Sequence, residues 1–147
     1  MQNKTLTFFI LAADGIVNHS AGVGTTVSGW LNCLPDIEKE LKNFNISIKL
    51  YLIAPYLKDG YEYKNDLIIE KNKAIVKKYN GELIQIDNGT EGLSGFGIND
   101  HFSENWEIAS KNGAIEIAKH IIDEDFNVII CVDTPFLKTA TFLQDYI

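Results

Sequence analysis

The groups best suited to hold an anion lie in one stretch near the amino terminus: Asp14-Gly15-Ile16-Val17-Asn18-His19-Ser20-Ala21-Gly22-Val23-Gly24-Thr25-Thr26. It follows an apolar run, Thr5 to Ala13, that reads as a buried strand, and precedes Val27 to Leu34, which has helical spacing. A glycine-rich turn at such a junction lets backbone N–H groups approach a phosphate or carboxylate, and the helix N-terminus adds positive potential there. Thr25 and Thr26 add hydroxyl donors, and His19, opposite the glycines, could donate to the same anion. The plainer alternative is a tight strand–helix turn with no ligand.

Spacing separates this stretch from two familiar phosphate sites. Gly22-x-Gly24 lacks the third glycine of a dinucleotide fingerprint, and no carboxylate follows the second strand at the ribose position. A Gly-Lys-Ser/Thr loop is absent from the sequence. So is arginine, which removes the bidentate guanidinium clamp. Any phosphate must be held by backbone amides, lysines or hydroxyls, or by a part of the protein outside these 147 residues. The net charge of −7 argues against a nucleic-acid partner.

Two further groups could recognise hydroxyls. Asn99-Asp100-His101 follows a glycine-rich stretch, Asn88–Gly97, and offers an amide and a carboxylate to sugar hydroxyls; the alternative is a solvated helix start. Asp133 closes the apolar run Val128–Val132, before Thr134-Pro135; it reads either as the N-cap of the next helix or as an acceptor contact. No residue is singled out as catalytic. No Asp-x-Asp stands at a strand end to suggest a metal, and Asp123-Glu124-Asp125 reads as a solvated helix end. Cys33 and Cys131 read as packed apolar residues and His120, beside Lys119, as a surface residue. Packing accounts for most of Tyr51, Tyr56, Tyr61 and Tyr63, although aromatics at a cleft rim can stack on sugar rings.

The elements that must position these groups alternate. Strands are expected at 5–13, 46–54, 82–87 and 128–132. Helices are expected at 26–44, 64–79, 103–125 and from 136 onward, with Pro35 kinking or splitting the first and Asn80-Gly81 capping the second. Continuous apolar strands in strand–helix alternation imply an α/β fold, a three-layer Rossmann-like domain with a mostly parallel sheet. Ligands in such sheets bind beyond the carboxyl ends of the strands, where all the unusual loops emerge. The apolar run at the start is short for a secretory signal and carries one lysine before it, and no run reaches the length of a membrane helix. A cytoplasmic, soluble domain is expected.

Ala21-Gly22-Val23-Gly24-Thr25, followed by a helix bearing Leu34-Pro35 and Leu41, resembles the opening of glycogen and starch synthases and, more broadly, of retaining glycosyltransferases built from two Rossmann-like domains (the GT-B kind). Phe96-Gly97-Ile98-Asn99-Asp100 with Ser110-Lys111 and Ala114, and the strand Asn127–Asp133, are similar to two further stretches of that family, in order. His19 stands where the synthases carry a lysine, and Thr25 replaces their loop aspartate. Ile130, Val132 and Thr134 replace the histidines and tryptophan near the last strand.

The resemblance implies that residues 1–147 form the N-terminal, acceptor-side domain of such an enzyme, truncated before a C-terminal donor domain. It implies transfer of a sugar from a nucleotide-sugar co-substrate to a carbohydrate or other hydroxyl acceptor, with no other cofactor. Substrate contacts would come from His19, Gly22, Val23, Gly24, Thr25, Asn99, Asp100 and Asp133. Alone, the chain would be inactive. A homodimer through the unfinished sheet edge is left open, and the competing expectation is a stand-alone, flavodoxin-like binding or regulatory module.

Overall fold

A computed structural model describes residues 4–18, 22–93, 104–122, 126–132 and 134–147. Among these residues four strands and four helices alternate: β1 (Lys4–Leu11), α1 (Val23–Lys42), β2 (Ile46–Pro55), α2 (Asp66–Lys78), β3 (Glu82–Ile86), α3 (Glu104–His120), β4 (Phe126–Cys131) and, after one 3-10 turn at Thr134–Phe136, α4 (Thr139–Leu143). The strands form one sheet in the order β3-β2-β1-β4. All three pairings are parallel: Lys4 opposes Ile46, Leu6 opposes Phe126 and Tyr51 opposes Glu82.

Side-chain alternation along β1 and β2 divides the core in two. Ile10, Ala12, Leu50, Leu52 and Ala54 pack with Val27, Leu31 and Leu34 of α1 and with Ile69 and Val76 of α2. Phe9, Leu11, Tyr51 and Ile53 face the other way, against Ala109, Ala114 and Ile117 of α3, with Phe136 and Leu143. Because both faces of these strands are buried, their sequences read as unbroken apolar runs. The result is the expected three-layer, Rossmann-like α/β arrangement, with α1 and α2 on one face and α3 and α4 on the other.

Several local expectations change. Pro35 does not split the first helix, which runs unbroken from Val23 to Lys42. Val27 and Leu31 before it, and Leu34 beside it, bury against the sheet, and this shared face carries the helix across the hydrogen bond that proline lacks. Trp30 and Ile37 lie on the flank of that helix, 38% and 36% exposed. The helix expected from Phe136 onward is present but starts later, as the short α4 after a 3-10 turn. His120 is no free surface residue: it closes α3 half-buried, its ring 4.4 Å from that of Tyr51, which also stacks on Phe9. No described helix is long and apolar enough to cross a membrane.

Candidate functional site

The topology locates a crevice. From β1 the chain passes through α1 and α2 to strands on one side, whereas α3 carries it to β4 on the other side. The loops leaving β1 and β4 therefore diverge, and open α/β sheets bind ligands where adjacent loops diverge beyond the carboxyl ends of strands. Val132 N–H donates to Leu11 O (3.0 Å), which carries the pairing to the last residue before Asp133. Beyond it, the Ser110 hydroxyl donates to Pro135 O (2.6 Å) and fixes the returning chain beneath α3.

The turn after β1 has two halves. The first, Asp14–Asn18, curls into the core. Ala13 O accepts from the N–H groups of Ile16, Val17 and Asn18 at 3.2, 3.1 and 3.4 Å. Ile16 and Val17 are fully buried. Asn72, buried in α2, donates its side-chain amide to Gly15 O (2.8 Å) and Ile16 O (3.1 Å), and Asn65 N–H donates to Val17 O (2.9 Å). Gly15 has φ +81°, and a Cβ on it would stand 2.8 Å from Gly24 O. The curl therefore lies directly against the first turn of α1, and Gly24 is buried by that contact.

The second half is open. Gly22 caps α1 with φ 80° and ψ −105°, and no side chain among the described residues caps the helix. A Cβ on Gly22 would meet nothing within 4 Å. No acidic residue stands in the first turn, so the positive potential of this helix end is not offset from within the helix. The Thr26 hydroxyl bonds back to Gly22 O (3.4 Å) rather than outward, whereas Thr25 is exposed and Val23 half-buried against the core. Of the expected contacts, then, Gly22 and Thr25 face solvent, and Val23 and Gly24 can contribute only main-chain groups. His19, Asn99, Asp100 and Asp133 lie outside the described residues.

The loops after β2 and β3 leave the same edge of the sheet, as the strand order along the sequence implies. Tyr56 N–H donates to Ile86 O (2.7 Å), and Lys58 N–H donates to Gly92 O (2.9 Å). Gly92 approaches so closely that a Cβ would be 2.9 Å from the Tyr56 ring. The Tyr56 ring is thus braced by a loop backbone and still 46% exposed. The bracing loop is rigid for a specific reason. Asn88, buried, donates to Leu93 O (3.1 Å) and accepts from the Thr90 N–H (3.2 Å) and hydroxyl (2.6 Å), while Asn112 donates to Asp87 O (2.8 Å).

Charge at this rim is partly spent. Lys64 bonds Asp59 and Asp66, the latter at 3.1 Å. Its hydrogen bonds to those carboxylates push the ammonium pKa up, and the same contact holds the Asp59 carboxyl below its usual range. Lys58 makes no ion pair with any described residue. At the end of β4, burial pushes the Cys131 thiol up, which leaves it a poor nucleophile.

These features define a Rossmann-like domain with a helix start after β1 that no described side chain caps, and with a braced, exposed aromatic ring in the loop after β2. No protein-family model matches the chain, and no curated protein does either.

Proposed function

We propose that this chain is the acceptor-side domain of a retaining glycosyltransferase, acting in the cytoplasm on a nucleotide sugar and a carbohydrate or other hydroxyl acceptor. The observation that carries the reading is the open start of α1 at Gly22, beside the β1/β4 crevice. Its main-chain N–H groups have no acceptor within the helix and would stabilise charge building on a departing diphosphate, a preorganised electrostatic role. Tyr56 supports the same reading, since a braced, exposed ring gives a sugar an apolar face to stack on. Lys58 offers a cation near that ring in a chain without arginine. The ordered resemblance of three sequence stretches supplies the class of reaction.

Amide chemical shifts during titration with UDP-glucose, ADP-glucose and GDP-glucose test the proposal. Gly22, Val23, Gly24 and Thr25 should move with at least one of them, and the 147-residue chain should consume none. Turnover of a nucleotide sugar by this chain alone would overturn the division of labour. Amides unmoved by all three would remove the diphosphate site.

A further inference from the structure

Three asparagine–glycine pairs occur in the chain: Asn80-Gly81, Asn88-Gly89 and Asn112-Gly113. An asparagine side chain cyclises onto the next main-chain nitrogen most readily when that residue is glycine, since no Cβ hinders the approach. The fold holds the three pairs very differently. Asn112 lies inside α3 and donates its side-chain amide to Asp87 O (2.8 Å), and Gly113 is packed so that a Cβ would stand 2.8 Å from Leu11 Cδ2. Asn88 is buried, its side-chain amide bonded to Thr90 and Leu93, and the Gly89 N–H donates to the Asp87 carboxylate (2.8 Å).

Asn80 is held far less. It stands exposed just past α2, and its side chain bonds to no described residue. Main-chain bonds alone fix the pair: Asn80 N–H donates to Lys77 O (3.3 Å) and Gly81 N–H to Val76 O (3.0 Å), the two bonds of a Schellman helix end. Helix ends open locally at lower cost than buried turns or helix interiors.

We propose that Asn80 is a site of covalent self-modification, the asparagine at which the folded chain deamidates. When the bond to Val76 opens, the Gly81 nitrogen gives up its proton and attacks Asn80 Cγ. The bond from Cγ to the side-chain nitrogen breaks, and that nitrogen leaves with the proton as ammonia. A cyclic imide remains, and water adds to either of its carbonyls. Breaking the imide N–Cγ bond restores the main chain and leaves an aspartate. Breaking the other N–C bond routes the main chain through the side chain and leaves an isoaspartate, longer by one methylene.

The two products differ in cost. Lys42 and Lys78, with Glu38 as the one acid, line the groove of about 280 Å³ that Asn80 borders, so a new carboxylate finds cations beside it. A longer main chain finds no room. Gly81 lies so close to β2 that a Cβ would be 1.7 Å from Leu50 O. It leads straight into β3, whose Ile86 O accepts from Tyr56 N–H (2.7 Å). Isoaspartate here therefore strains the strand that holds the Tyr56 main chain.

Peptide mapping by mass spectrometry, during incubation of the intact chain at mildly alkaline pH, tests this. In the folded chain Asn80 should convert at least about tenfold faster than Asn88 or Asn112, and in urea the three rates should converge. The aged chain should unfold at a lower denaturant concentration than the fresh one, whereas fresh Asn80→Asp should unfold close to the parent. Asn80→Gly keeps the left-handed position and should lose no stability on ageing. Three outcomes would overturn the proposal: Asn88 or Asn112 keeping pace with Asn80 in the folded chain, no conversion at Asn80 over many half-lives of the unfolded chain, or an Asn80→Gly variant that ages like the parent.

Discussion

Gly22 and Gly24 stand two residues apart in one glycine-rich turn and do different work. Gly24 is buried where the curl after β1 meets α1, within reach of Gly15. Gly22 is exposed, has a positive φ and has open space where a Cβ would stand. The contrast shows that a sequence signature for anion binding can be half architecture. One glycine lets two backbones approach, and only the other leaves a helix end bare for a ligand.

The sharpest way to break the contrast is Gly15→Ala. Its positive φ and the 2.8 Å approach to Gly24 O add backbone strain to a clash that no side-chain rotation relieves. A loss of about 3 kcal/mol is expected in denaturant unfolding. Asn72→Ala should follow at about 2 kcal/mol, because it strips the donor from two carbonyls in a buried corner. Gly22→Ala should cost about 1.5 kcal/mol, the strain of an alanine held at φ 80° and ψ −105°, outside the regions it normally occupies. It should nonetheless weaken nucleotide-sugar binding, read by amide titration, more than Asn72→Ala does under conditions where both are folded. Equal stability losses at Gly15 and Gly22 would erase the distinction. Smallest of all, His19→Lys should change stability by less than about 0.5 kcal/mol and raise affinity for a free nucleoside diphosphate a few-fold. Unchanged affinity would remove that side chain from the site.

The sequence carried the layers of this fold because its strands are apolar without alternation and its helices have one apolar face. It did not carry strand order. Nothing local tells β4 to pair with β1 rather than with β3, so the position of the crevice came only with the sheet. Asn72 illustrates the same gap within the site. In the helical pattern it sits among buried positions, but its partners are 57 and 56 residues away, beyond any periodicity. The end of α2 was legible in Asn80-Gly81, although the parts are exchanged. Asn80 takes the left-handed conformation (φ 52°), and Gly81 is small because a Cβ there would lie 1.7 Å from Leu50 O. Tyr56 and Lys58 were visible as residue types, but their support by Gly92 depends on a contact between separate loops. Pro35 does not split α1, because a proline rule is local, whereas the helix is held by its shared buried face.

The pairing of β1 has a consequence for synthesis of the protein. This strand leaves the ribosome before the strands it pairs with, and one of its two neighbours, β4, begins 120 residues later, at the Leu6–Phe126 pair. At the usual pace of translation that interval is about 6–24 s. Throughout it, the Thr5–Leu11 segment can pair with β2 but keeps its other side open to any passing chain. A nascent-chain holdase bound during that window would raise the yield of folded protein, and slower elongation before residue 126 would lower it.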